Sequence, residues 1–212
     1  MVELPTRQPA ERQRQLGRSD WLAVAIEVLV SDGVDALQIT QLSRRLEVTR
    51  GSFYWHFPNR DALLNAILDE WRSRNTDVMV EAVAGAQTLA EGILALFVVW
   101  VDHRRFDPAL DQAVRDWARR SADVRTVVAA EDDARVEAVA AFFRRMGYPE
   151  TEAFIRGRVL YFTQVTYYAL VTDEPINKRI GYLDAYFTCF TGRKIDPDAA
   201  KVFEASYMGS SR

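Results

Sequence analysis

The stretch LQITQLSRRLEVTRGSFYWHFPNRDALL, residues 37–64, decides how this chain is read. Ile39, Leu42 and Leu46 recur at helical spacing while Gln41, Ser43, Arg44 and Arg45 take the opposite side, which predicts a helix from about Ile39 to Leu46. Just over two turns cannot persist alone in water, so this helix must be packed on neighbours. Glu47-Val48 make a break, Thr49 stands as a cap, and a third helix runs from Arg50 to about Phe57, where Pro58-Asn59 ends it.

Stepping about 100° per residue from Arg50 brings Phe53 and Phe57 side by side, as a packing face. Trp55 falls almost opposite them, with Gly51 and Ser52 on its flanks and Tyr54 between Arg50 and Gly51. An outward Trp beside an outward Tyr on so short a helix has nothing local to pack against, and DNA supplies a target. The major groove admits a helix and presents distinct donors, acceptors and the thymine methyl. Arg50 suits a bidentate contact with guanine, and Gly51 lets the backbone approach. Thr49 and Ser52 can donate to phosphate or base, while Tyr54, His56 and Arg60 can hold the phosphates that fix register.

Outward from this stretch, residues 1–17 hold two prolines, three glutamines and no apolar period, and predict a flexible basic arm. Ser19 or Asp20 reads as the N-cap of a first helix carrying Leu22, Ala25, Ile26 and Leu29, stopped at Ser31-Asp32-Gly33 with Gly33 in a left-handed position. A fourth helix opens at Asn59 or Arg60 and passes through Ala62, Leu63, Ala66, Ile67 and Trp71. Longer amphipathic helices follow at about 87–105, 108–121, 123–146, 150–172 and 176–191, punctuated by Asp107-Pro108, Gly147-Tyr148-Pro149, Asp173-Glu174-Pro175 and Asp196-Pro197. No strand alternation and no internal repeat appears. The expected class is all-α: an N-terminal three-helix helix-turn-helix domain over 18–64, joined by a linking helix at about 60–77 to a C-terminal helical domain over 65–212.

Composition sets the bounds. A chain of 212 residues, 49% hydrophobic and 27% charged, can bury a substantial core. Its single cysteine, Cys189, excludes an internal disulfide framework and is expected to be a buried apolar filler. The longest apolar run, Ile93–Val101, has nine residues, about half of the roughly 20 needed to span a bilayer. With charges and prolines where a secretory leader would be apolar, the expected location is the cytoplasm. The net charge of −3 speaks against a nucleic-acid partner, but its distribution does not: residues 1–60 carry +1 and the remainder −4. Between residues 41 and 60, Arg44, Arg45, Arg50 and Arg60 face only Glu47.

The series Thr49-Arg50-Gly51-Ser52-Phe53-Tyr54-Trp55-His56-Phe57, followed by Arg60 and Ala62-Leu63-Leu64, resembles the TetR family of bacterial transcriptional regulators over residues 19–66. The resemblance implies an N-terminal helix-turn-helix, a divergent C-terminal all-α domain that binds a small effector, a homodimer joined through its last two long helices, and repression released by the effector. It places Thr49, Arg50, Gly51, Ser52, Tyr54, Trp55, His56 and Arg60 on the family's DNA-contact positions. Two departures stand out. The turn has Glu47 where the family often has Gly, and Gln38 precedes the second helix where the family often has Thr or Ser.

In the C-terminal part, Ile155, Val159, Phe162 and Thr166 fall on one stripe and Ile180, Leu183, Phe187 and Phe190 on another. A terminal helix pair this apolar predicts a dimer interface. Trp100, Trp117, Tyr161, Phe162 and Tyr168 are the expected lining of an effector pocket for an apolar or aromatic ligand. An enzyme is the main rival. The chain has no phosphate-cradling glycine loop, no Gly-x-Ser-x-Gly and no metal-ligand spacing; His103 beside Asp102 and Asp107 reads as a surface or hydrogen-bonded histidine, and Glu131-Asp132-Asp133 as a solvated helix face. No cofactor and no metal is expected. The function expected is a ligand-responsive regulator, a repressor that binds a palindromic operator as a homodimer; the alternative is a DNA-binding regulator or activator without a small effector.

Overall fold

The computed structural model describes residues 16–170 and 174–208. The arm expected at 1–17 lies outside the described residues as far as residue 15, as does the 171–173 end of the expected 150–172 helix. Twelve α-helices and no strand occur among the described residues.

Four helices form the N-terminal unit: α1 (Arg18–Asp32), α2 (Ile39–Arg45), α3 (Arg50–Tyr54) and α4 (Arg60–Trp71). Trp21, Leu29, Leu37, Leu42, Phe53, Phe57 and Leu63 are fully buried where they meet. The first helix starts at Arg18 with Gly17 as its cap, ahead of the Ser19 or Asp20 expected. Asp20 still serves the start, since its carboxylate accepts the Gly17 amide at 2.7 Å. Gly33 takes a positive φ of 80° as the chain leaves α1. Asn59 caps α4, its Oδ1 accepting the Ala62 amide at 2.8 Å.

The link onward is a single rod. A π-helical turn over Arg72–Asp77 carries α4 directly into α5 (Val78–Ala84). The wider turn points Asn75 and Thr76 inward, against the C-terminal helices. The remaining helices are α6 (Leu89–Val101), α7 (Pro108–Arg120), α8 (Ala122–Arg145), α9 (Glu150–Ala169), α10 (Ile176–Gly181), α11 (Leu183–Thr191) and α12 (Pro197–Met208). The expected helix over 176–191 is two, broken at Tyr182, and α12 was not anticipated.

The longest helices, α8 and α9, pack most extensively. Gly157 makes this possible: a Cβ there would lie 2.9 Å from the Ala140 amide nitrogen and 3.0 Å from the Val136 carbonyl oxygen. Two apolar clusters result. One joins α1–α4 to Leu110, Val114 and Trp117 of α7 and to the start of α8, so the N-terminal unit rests on the helices that follow it. The other fills the space between α5, α6, α8, α9 and α11.

Between these clusters lies a buried polar network. Asp111 accepts from Trp71 Nε1 at 2.8 Å, from Arg115 Nε at 2.8 Å and from Arg135 Nη1 at 3.0 Å. Arg135, fully buried, also donates to Thr76 Oγ1 and to the Tyr161 hydroxyl. Glu131 pairs with Arg72 at 2.6 Å and Asp132 with Arg115 at 2.7 Å. The acidic run Glu131-Asp132-Asp133 is therefore not a solvated face, since only Asp133 is exposed. Cys189, expected as a buried filler, is exposed on α11.

Candidate nucleic-acid interface and ligand cavity

The turn between α2 and α3 is built on one strained residue. Glu47 has φ of 56°, the one non-glycine residue with positive φ among those described. Leu46, Glu47 and Val48 return amide hydrogen bonds to Leu42, Arg44 and Ser43, so the turn is closed and must pass through this conformation. A left-handed L-residue costs about 1–2 kcal/mol, while glycine costs about 0.5–1 kcal/mol in chain entropy. Glu47→Gly should therefore stabilise the N-terminal unit by up to about 1 kcal/mol, read as a raised urea midpoint; a lowered midpoint would show that Glu47 makes a compensating contact.

The expected wheel for α3 holds although its regular part ends at Tyr54. Phe53 and Phe57 are buried with rings stacked 5.6 Å apart, Trp21 meets Phe53 edge-on at 5.3 Å, and the Arg18 guanidinium covers Phe57 at 4.8 Å. Trp55 on the opposite side is 87% exposed and Tyr54 53%. Thr49, Arg50 and Gly51 are exposed beside them, and Ser52 and His56 partly so. Thr49 occupies the cap position with extended backbone, but its side chain makes no capping hydrogen bond, which leaves the hydroxyl free for another acceptor or donor.

Arg60 departs from its expected role. Its Nε donates to the Leu37 carbonyl at 2.7 Å and its Nη2 to the Val34 carbonyl at 3.0 Å, so most of its guanidinium is spent tying α4 to the turn before α2. Arg45 is likewise occupied by Asp32 at 2.7 Å. Arg44 and Arg50 are exposed with no acidic partner among the described residues. The face thus presents a protruding indole and phenol, a bare glycine backbone, two hydroxyls and unpaired guanidinium groups. In the sequence Arg44 and Arg45 are equivalent members of a basic cluster; the pairing of Arg45 with Asp32 distinguishes them.

Residues 22–67 match the family model described as bacterial regulatory proteins, tetR family. Over this N-terminal stretch the chain is similar to the TetR family. It is 35% identical over 68 residues to the class G tetracycline repressor protein of Vibrio anguillarum, covering 32% of each chain. It is 43% identical over 44 residues to the HTH-type transcriptional regulator SrpR of Pseudomonas putida, covering 21% of each. The match spans about a third of the length of the first of these relatives. Among solved structures, the reduced form of NemR from E. coli shares the fold with a TM-score of 0.63, at 14% identity over 85% of this chain and 98% of that one.

Beyond residue 67, the chain holds a small apolar cavity of about 50 Å³ between α6, α9 and the α10–α11 pair. Ile93, Phe97, Leu160, Leu183 and Phe187 form its apolar wall, with Thr163, Gln164, Tyr167, Glu174 and Arg179 as polar groups. Of the five residues expected to line it, only Trp100 does. Tyr161 is turned into the polar network, donating to Asp132 at 2.5 Å, and burial pushes its hydroxyl pKa above the usual tyrosine range. Tyr168 stacks on Phe106 and donates to the Trp100 carbonyl at 2.6 Å, again with its pKa raised by burial. Trp117 packs in the N-terminal cluster, and Phe162 points outward. A rotation of about 100° per residue separates these fates: the cavity side of α9 is Leu160, Thr163, Gln164 and Tyr167, and an aromatic one position away meets a different neighbour.

The expected dimer stripe also divides. Ile155, Val159, Phe162 and Thr166 are exposed along α9 and line a shallow apolar groove that ends at Leu170. Ile180, Leu183 and Phe187 are buried within the chain, and Phe190 is half-buried on the cavity wall, so this second stripe packs internally. Exposed aromatics here are instead Tyr182, at the break between α10 and α11, and Tyr186, which also borders the cavity. His103 is exposed, and Asp102 pairs with Arg104 at 2.9 Å. No cluster of metal-ligating side chains occurs among the described residues.

Proposed function

We propose that the chain is a homodimeric transcriptional repressor that inserts α3 of each protomer into the major groove of a palindromic operator and is released by a small apolar or aromatic effector. The observation that carries this reading is Trp55, 87% exposed on a helix whose other side is locked down by buried Phe53 and Phe57. Burying apolar surface stabilises a fold, and a free indole forgoes that gain; a partner surface is what restores it. Arg50, Gly51 and Ser52 lie where base edges would be, and Thr49, Tyr54, His56 and Arg44 where phosphates would be.

The exposed α9 stripe supports pairing of two copies. Ile155, Val159, Phe162 and Leu170 form a continuous apolar face of the kind that monomers rarely expose. Val159→Glu or Phe162→Glu should convert the dimer to monomers by light scattering with helix content retained, and a dimer of unchanged mass would remove this face from the interface. Phe187→Glu should instead unfold the chain, because its ring is core.

Effector control follows from geometry shared by the two surfaces. Thr163 and Tyr167 line both the cavity and the α9 groove, so a ligand that displaces them shifts the pairing face. Two reading helices must stand about 34 Å apart, one turn of DNA, or a multiple of it. An effector that prefers a dimer of different spacing lowers operator affinity by its differential affinity for the two states. The rod from α4 to α5, gripped by Asn75 Nδ2 on the Asp107 carbonyl at 2.9 Å and by Arg135 on Thr76, transmits the shift.

The deciding experiment is selection of duplexes from a random pool with the purified chain, followed by titration at graded salt. A palindrome should emerge, and log affinity should fall linearly with log salt by about 0.9 per phosphate contact. Failure to enrich any sequence would overturn the proposal.

A further inference from the structure

We infer that the cavity between α6, α9 and α10–α11 receives an organic anion: an apolar or aromatic body whose carboxylate-type head is held by Arg179. The inference rests on the effector reading above and assigns the chemical class of that effector.

Arg179 is the exception among the half-buried and buried arginines of this region. Arg115, Arg135 and Arg156 each donate hydrogen bonds to a carboxylate, hydroxyl or carbonyl. The Arg179 side chain makes no hydrogen bond or ion pair among the described residues and lies on ring faces, with its guanidinium carbon 4.4 Å from the Tyr167 centroid and 5.7 Å from that of Phe97. A guanidinium held on ring faces keeps its in-plane N–H groups available, and the planar fork suits two acceptor oxygens. The nearby carboxylate is occupied: Glu174 pairs with Lys178 at 3.0 Å and accepts from the Tyr167 hydroxyl at 3.4 Å. Arg179 and Lys178 against Glu174 leave one positive charge at this wall.

Two further groups point the same way. Trp100 Nε1 and Gln164 Nε2, both of cavity-lining residues, are buried with no hydrogen-bond partner. A buried polar group without a partner is costly, so a ligand that supplies one gains affinity. All three unsatisfied groups are donors. A ligand bearing acceptors answers them, a ligand bearing only donors does not, and a cation is repelled by Arg179. The remaining wall, including Ile93, Leu160 and Phe187, demands an apolar body, and ion pairing in such surroundings is stronger than in water.

The test is calorimetric titration of the full chain with two matched pairs, 2-naphthoate against methyl 2-naphthoate and decanoate against methyl decanoate. At least one acid should bind tenfold or more tighter than its ester. In Arg179→Gln that preference should vanish, and in Arg179→Lys it should survive in part, with circular dichroism confirming both folds. Equal affinity of acids and esters, or a preference that persists in Arg179→Gln, would overturn the charge assignment while leaving the cavity as the effector site. Failure of all four probes to bind at millimolar concentration would remove the cavity reading itself and this inference with it.

Discussion

Trp55→Ala should lose specific operator binding and keep everything else. A good base contact carries about 1–3 kcal/mol, and a dimer makes it twice, so the loss is about 2–6 kcal/mol. That corresponds to a fall in affinity of about 30-fold to more than 10,000-fold at fixed salt. The fold should barely notice, because the indole is 87% exposed and surface substitutions stay within about 0.5 kcal/mol. Fluorescence anisotropy on the selected operator measures the first effect and thermal unfolding the second. A variant that binds its operator as tightly as the parent would move the reading helix elsewhere. A variant that loses affinity together with several degrees of melting temperature would mean that Trp55 is a packing residue after all.

The largest expected effect on stability is at Asp111. Its carboxylate is almost completely buried and receives Trp71, Arg115 and Arg135 together, so Asp111→Ala strands two guanidinium groups and an indole N–H. Breaking a buried pair on one side costs about 3–5 kcal/mol. For a chain of this length that is roughly 6–20 °C in melting temperature. The loss should also depend on pH. Burial works against the charged carboxyl, but Arg135 and Arg115 overcome it, and the pKa is held below the ordinary carboxylate value. A depressed folded-state pKa contributes stability that is fully present above the unfolded value of about 3.9 and is lost as pH falls through the folded value. The gap between parent and variant, read from urea midpoints, should therefore be widest above about pH 5 and narrow on acidification. A gap that stays constant from pH 7 to pH 3 would show that Asp111 acts through shape alone.

This network bears on the regulatory reading because Trp71 ends α4 and Thr76 sits in the π-helical turn. Arg135 reaches both, through its hydrogen bond to Thr76 and its position 4.8 Å above the Trp71 ring. The rod leading back to α3 is thus anchored by charged contacts on one side and by the α7 part of the N-terminal cluster on the other.

How far this was legible varied with the kind of contact. The two sides of α3 were readable because a helix of known pitch separates Phe53 and Phe57 from Trp55 whatever surrounds it. The exposed stripe of α9 was readable for the same reason. The stripe Ile180, Leu183, Phe187 and Phe190 had an equally clear period and was assigned to the wrong surface, since periodicity shows that a face is buried without showing against what. Composition alone puts Tyr161 and Tyr168 at the cavity, yet their hydroxyls answer Asp132 and the Trp100 carbonyl, partners 29 and 68 residues away. Glu131 and Asp132 looked solvated because a charged run on a helix usually is; Arg72 and Arg115 lie on other helices.

By itself, the sequence determined what depends on residues within a turn or two of one another: the all-α class, the helix-turn-helix, the Phe53–Phe57 packing face and the outward Trp55. Only the tertiary structure decided what depends on how helices cross. It closed the α2–α3 turn through a left-handed Glu47, spent Arg60 on the carbonyls before α2, buried Asp111 with Arg135, and laid Arg179 between Phe97 and Tyr167 with no carboxylate of its own. Helical pitch is a local property and can be counted along the chain, whereas the partner of a buried charge is set by packing between segments that the chain keeps far apart.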